Sequence, residues 1–349
     1  MQKQLYITYL SDTSKSIFPL LKMEINEITF QEKKLLNIIS FFYNKRKYMP
    51  LLKPTLFRLS YEICGGKYFY NIKNIAAAFE ALNISTYQAN SAFDNKMGIL
   101  KKEAKDDQFI ASMLSREIAT KLIMKSVDTL PSSTINKIIN CISISNLNIY
   151  KAQHYDLNLL SDVNYKKYAA SENKFNEDYH NRCFLGSGIF SGQTALAGAI
   201  AANANQEQEK ALQLFGEIYG TALHKINDLA DFYPGEERSD KLYQDNYCDI
   251  KNMRLTFPVY KLRTYYMEKY NELRALIEDN CNVDIINSVN KILADTSLID
   301  DVQKNAREAY NDAKQALSCF EMSHSKQMIL TLLSILDSNK FYYRAKNGK

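Results

Sequence analysis

The chain has 349 residues, 46% of them hydrophobic and 24% charged, a composition that allows a large buried core. Its net charge of +5 comes from Lys and Arg dispersed along the chain, which argues against nucleic acid as a partner. Six cysteines (Cys64, Cys141, Cys183, Cys248, Cys281, Cys319) lie far apart with no CxxC pair, which suggests neither a zinc ribbon nor a disulfide framework and fits a reducing, cytoplasmic setting. The opening MQKQLYITYLSDTSK lacks the apolar stretch of a signal peptide. The longest apolar run, 328–336, is about half a membrane span, so no membrane span is expected.

Only 11 Gly and 6 Pro occur, and apolar residues recur at three- and four-residue spacing, so helices are expected almost throughout and no strand pattern stands out. In chain order the spacing predicts helices over 31–43, 55–64, 75–89, 109–125, 133–141, 164–177, 192–202, 208–231, 256–276, 283–293, 297–317 and 323–337. Breaks fall at 50–54, 65–66, 131, 186–188 and 233–249. None has the composition of a flexible linker, and the chain shows no internal repeat. The expectation is one large all-α domain over 1–349, a helical bundle with a central cavity.

The helix over 208–231 carries the chemistry. Ala211, Phe215, Ile218, Ala222, Ile226 and Leu229 make an apolar stripe. Beside it run Gly216, Gly220, Leu223, His224, Asn227 and Asp231, where small residues remove volume and the face ends in an amide and a carboxylate. This pattern suits a cavity wall with a polar mouth, where hard cations such as Mg²⁺ would accept the oxygen donors. Spacing alone favours the plainer reading, in which Asn227, Asp228 and Asp231 solvate a helix end, because acidic helix surfaces are common.

The segment 186–258 resembles the second half of a trans-isoprenyl diphosphate synthase. NDLAD stands at the second DDxxD motif of that family, and FGEIYGTALHKINDLADF resembles its Gly-spaced approach. DIKNMRLTFP resembles the following D-L-x-x-x-K-x-T-L-P signature in full register, AQHYDL resembles G-Q-x-x-D-L, and KPTLFRLSYEICGG fits the stretch from Arg-Pro to Gly-Gly. The resemblance covers roughly residues 40–320 and implies the all-α class I isoprenoid synthase fold, Mg²⁺ as cofactor, an allylic prenyl diphosphate as substrate and a homodimer.

By resemblance, Asp228 and Asp231 are catalytic, and Asn90, Asp94, Asn227, Asp228 and Asp231 are metal ligands. Lys241, Lys53 and Arg254 are the diphosphate-binding cations, and Ser85, Thr86, Gly216, Gly220, His224 and Gln153 line the cavity. The pattern also departs from the family. Asn227 replaces the first aspartate of the second motif, the first motif reads QANSAFD and keeps only Asp94, Met49–Pro54 retains one of three cations, and Gly186 replaces the lysine of the Lys-Thr element. Losing several cations together weakens isopentenyl diphosphate recognition. The reading taken first is therefore a terpene synthase-type enzyme that ionises one allylic diphosphate. A trans-prenyltransferase using isopentenyl diphosphate is the alternative, and a non-catalytic partner subunit is a third.

Overall fold

The computed structural model describes residues 2–29, 32–46, 51–94, 105–230, 248–278 and 282–336. In chain order the helices are α1 (Gln2–Ile28), α2 (Lys33–Arg46), α3 (Leu52–Ile63), α4 (Lys73–Phe93), α5 (Lys105–Met124), α6 (Ser132–His154), α7 (Tyr165–Ala169) and α8 (Glu172–Cys183). They continue as α9 (Ile189–Ala201), α10 (Gln206–Leu229), α11 (Cys248–Lys251), α12 (Phe257–Tyr265), α13 (Met267–Glu278), α14 (Asn282–Asp295), α15 (Leu298–Ala316) and α16 (His324–Leu333). Among the described residues the only extended pairing is a single antiparallel bridge, Ser161 with Arg254.

The chain forms two compact units that alternate along the sequence. The first comprises Met1–Ser145, Ser191–Phe215 and Ala316–Leu332; the second comprises Asn146–Phe190, Gly216–Gln315 and Leu333–Lys349. In the first unit α4 is the axis. Ile75, Ala76, Ala77, Ala78, Phe79, Ala81, Leu82 and Ile84 are buried, and α1, α2, α3 and α5 pack around them. A helix apolar on all sides must be surrounded, and its alanines let neighbours come close. In the second unit an aromatic cluster holds α8. Phe175 stacks on Tyr260 with centroids 3.7 Å apart, and Tyr168 meets Phe175 edge-on at 5.8 Å.

Several boundaries differ from the periodicity reading, with local causes. Pro54 does not end a helix; it sits in the first turn of α3, where a missing N–H costs no hydrogen bond. The expected helix 164–177 divides at Ser171, whose extended backbone (φ −151°) and side chain cap α8 by accepting from Lys174 N–H. The expected helix 256–276 divides at Tyr266 (φ −138°, ψ 50°), after a Thr-Tyr-Tyr run of modest helix propensity. Helix α1 was not among the expected helices, and it carries Pro19 in its interior. Tyr6, Thr13, Ile17, Leu21 and Ile25 nevertheless bury one face.

The expected break at 186–188 is absent. Instead α8 runs into α9 through a π-helical turn, Phe184–Gly188, and the continuous helix 172–201 is long and apolar enough to cross a membrane. Of its most apolar window 67% is buried inside the protein, as in a core helix.

Candidate functional site

On α8, Tyr179, Arg182 and Cys183 occupy positions i, i+3 and i+4 and so share one face. The aromatic cluster fixes that face: Tyr179 stacks on Phe175 at 5.7 Å, and Tyr168 donates its hydroxyl to Asp178 at 3.0 Å. Both Arg182 and Asp228 are buried, and Arg182 bridges two acids. Its Nε lies 2.7 Å from Asp156 Oδ1, and Nη1 lies 2.5 Å from Asp228 Oδ2. Tyr179 donates its hydroxyl to the same Asp228 Oδ2 at 2.8 Å. The bonds to Asp228 are the short ones, since charge strengthens a buried hydrogen bond; toward Asp156 the ion pair is looser, with Nη2 donating to Oδ2 at 3.4 Å.

The electrostatics follow from this packing. Burial alone would lower the Arg182 pKa, but Asp156 and Asp228 outweigh it and hold the guanidinium charged well beyond its usual range. Burial, then the Asp228 charge, pushes the Tyr179 hydroxyl far up, so it stays a donor. One turn before Asp228, His224 is pushed down to about 4, chiefly by burial and next by Arg182. At neutral pH its imidazole is therefore uncharged. Burial also raises the Cys183 thiol to about 12, opposed by Arg182.

Two π-helical turns flank this network, Tyr155–Leu159 after α6 and Phe184–Gly188 after α8, and such turns recur where a helix face is re-aimed at a site. The second turn needs its glycine. A Cβ on Gly188 would fall 2.3 Å from Thr221 Oγ1 and 3.0 Å from the Glu217 carbonyl, so α10 approaches closer than any side chain allows. A Cβ on Gly186 would meet Ala152 Cβ at 3.1 Å and His224 Cε1 at 3.3 Å.

The geranylgeranyl pyrophosphate synthetase of Pyrococcus horikoshii superposes with a TM-score of 0.73 at 15% identity, covering 97% of this chain and 99% of that one. The polyprenyl synthase of Caulobacter crescentus, solved with calcium and isoprenyl diphosphate, superposes with a TM-score of 0.74 at 14% identity over 95% and 97% of the two chains. The chain has the trans-isoprenyl diphosphate synthase fold. In sequence, the octaprenyl diphosphate synthase of Haemophilus influenzae is 27% identical over 137 residues, which span 39% of this chain and 41% of that relative. No protein-family model matches the sequence.

Within this synthase fold the expected site residues fall in both units. In the second unit His224 and Asp228 lie together on α10, with His224 Nε2 4.0 Å from Asp228 Oδ1. Arg254 donates from Nη1 to the Asp156 carbonyl at 2.8 Å, which ties it to the same network. Gln153 is half-buried near the end of α6, Gly216 and Gly220 are buried on α10, and Asn227 is exposed. In the first unit Asn90 and Asp94 are half-buried at the end of α4, where Asp94 N–H donates to the Asn90 carbonyl. Ser85 is engaged with α5: its hydroxyl meets Ser112 Oγ at 3.0 Å and accepts from Arg116 Nε at 3.0 Å. Thr86 donates to the Leu82 carbonyl of its own helix. Lys53 donates to the Ser191 hydroxyl, and burial lowers its pKa to about 7 against the pull of Glu80. Asp231 and Lys241 lie outside the described residues.

The donor sets fit a hard divalent ion unequally. Asn90, Asp94 and Asn227 offer oxygen atoms at half-buried or exposed positions, as Mg²⁺ requires. Asp228 can offer Oδ1 alone, beside nitrogen and sulfur donors rather than among oxygens. One of its oxygens is taken by Arg182 and Tyr179, and the other faces an imidazole. Arg182, Asp156, Tyr179 and Cys183 were missed as a set in the sequence. The available signal was YHNRCF, with an arginine one turn before Gly186, the position where the family keeps a lysine.

Proposed function

We propose that this chain is a trans-prenyltransferase that condenses an allylic prenyl diphosphate with isopentenyl diphosphate. The observation that carries the reading is the near end-to-end match of the fold to synthases of linear prenyl diphosphates, supported by sequence similarity to an octaprenyl diphosphate synthase. The cyclisation first expected from the thinned cation set finds no such support and gives way to it.

In this reading Asn90 and Asp94 in the first unit, and Asn227 in the second, would each offer oxygen donors to divalent ions, expected to be Mg²⁺, which when bound would neutralise the diphosphate leaving group. Lys53 and Arg254 would meet phosphate oxygens. Diphosphate charge beside Lys53 would favour its ammonium form and offset its burial. Arg182 and Tyr179 act one layer back, fixing the C-terminal end of α10 on which Asn227 rides. A homodimer and a cytoplasmic setting belong to the same proposal, with sedimentation velocity testing the dimer.

The test is incubation of purified protein and Mg²⁺ with geranyl, farnesyl or geranylgeranyl diphosphate, each with and without isopentenyl diphosphate, followed by mass spectrometry. Longer prenyl diphosphates formed only with isopentenyl diphosphate are expected. Hydrocarbon or alcohol from the allylic substrate alone would restore the cyclase reading. Unchanged substrate in every tube would favour the partner-subunit reading, for which the commitment of Asp228 to Arg182 and Tyr179 is the specific observation.

A further inference from the structure

We propose that Cys183, His224 and Asp228 form a transition-metal site, in which a zinc-class ion is held by one thiolate, one imidazole and one carboxylate oxygen. The three donor atoms, from α8 and α10, lie within 4.8 Å of one another. Zinc bonds of about 2.0–2.3 Å in a tetrahedron set donors about 3.5 Å apart, so modest side-chain rotation closes the site. Three protein donors leave a fourth position for water or a ligand.

The shell around the donors is already arranged. Asp228 uses Oδ2 for Arg182 and Tyr179, which leaves Oδ1 turned toward His224 Nε2. A metal-bound carboxylate is oriented in this way by partners on its second oxygen. The His224 ring presents Nε2 to Asp228 Oδ1 at 4.0 Å, and its Nδ1 is buried. Gly186 supplies the room: a Cβ there would press on the His224 ring at 3.3 Å.

Charge and ligand type choose the ion. Arg182 sits between Asp156 and Asp228, and Arg254 donates to the Asp156 carbonyl. Binding breaks the Cys183 S–H bond, sends the proton to solvent and gives the sulfur electron pair to the metal. The charge of a divalent ion then balances its two anionic ligands, the Cys183 thiolate and the Asp228 carboxylate. Thiolate and imidazole favour zinc, cobalt or cadmium over magnesium or calcium. The site is thus distinct from the oxygen-rich residues proposed for Mg²⁺, and it rests on none of the prenyl-transfer reading.

The experiment is titration of the full chain, stripped of metal with a chelator, with Co²⁺ in an absorption spectrometer. Expected are a thiolate-to-cobalt charge-transfer band in the near ultraviolet and tetrahedral ligand-field bands, saturating at one equivalent, removed by Zn²⁺ and unaffected by excess Mg²⁺. Cys183→Ser should lose the charge-transfer band, and His224→Gln should weaken Co²⁺ binding at least about tenfold, with circular dichroism checking the fold of each. Absence of the band in the wild-type chain, its displacement by Mg²⁺, or its persistence in a folded Cys183→Ser variant would overturn the proposal. The wild-type titration decides even where a variant fails to fold, and no readout depends on prenyl transfer.

Discussion

Lys53 in the first unit and Arg182 in the second are both cations withdrawn from water, and their surroundings treat them in opposite ways. Lys53 donates to a neutral serine hydroxyl, and burial outweighs the Glu80 charge, so its pKa falls to about 7. Arg182 lies against two carboxylates, which outweigh its burial and raise its pKa. Depth alone does not decide the state of a buried charge; the number and distance of its counter-charges do. The first arrangement leaves a cation that an incoming anion can recharge, and the second is a structural tie.

The largest effect expected is from Arg182→Met, which leaves Asp156 and Asp228 without their shared counter-ion and should cost about 3–5 kcal/mol in urea denaturation. Arg182→Lys should recover only part of that loss, because a single ammonium cannot span both acids as the guanidinium fork does. Next is Gly188→Ala, expected to destabilise by about 1–3 kcal/mol through overpacking against α10. Adding Thr221→Ala removes the nearest atom, 2.3 Å away, and should restore part of the loss, since the Glu217 carbonyl at 3.0 Å remains.

The gentlest test concerns Lys53. Its folded pKa of about 7 lies below the ordinary value of 10.5, so between these pH values the unfolded chain binds the extra proton. Stability should therefore rise with pH across that window, by at most about 1.4 kcal/mol per pH unit. Lys53→Met should remove that slope, read as the difference between the two proteins in urea midpoints at pH 7 and pH 9.

Much of this fold was legible because helices advertise themselves by spacing: the apolar surround of α4 and the two stripes of α10 stand in the sequence. Helix α1 was not read from the sequence, although it runs unbroken from Gln2 to Ile28 with Pro19 inside it. The Gly186–Gly188 segment read as a break, because close helix approach and chain termination both use glycine. Asp228 and His224 were legible as neighbours on one helix. Arg182 was not, since its acids lie 26 and 46 residues away and spacing along a helix carries no information about such partners.

The claim that Asp228 serves as an internal counter-ion is tested most directly by a double-mutant cycle of Arg182→Met and Asp228→Asn, measured as unfolding free energies in urea. Loss of Arg182 should cost less once Asp228 is neutral, with a coupling of about 2 kcal/mol or more. Costs that simply add, within about 0.5 kcal/mol, would contradict the account and return Asp228 to the ligands available to magnesium.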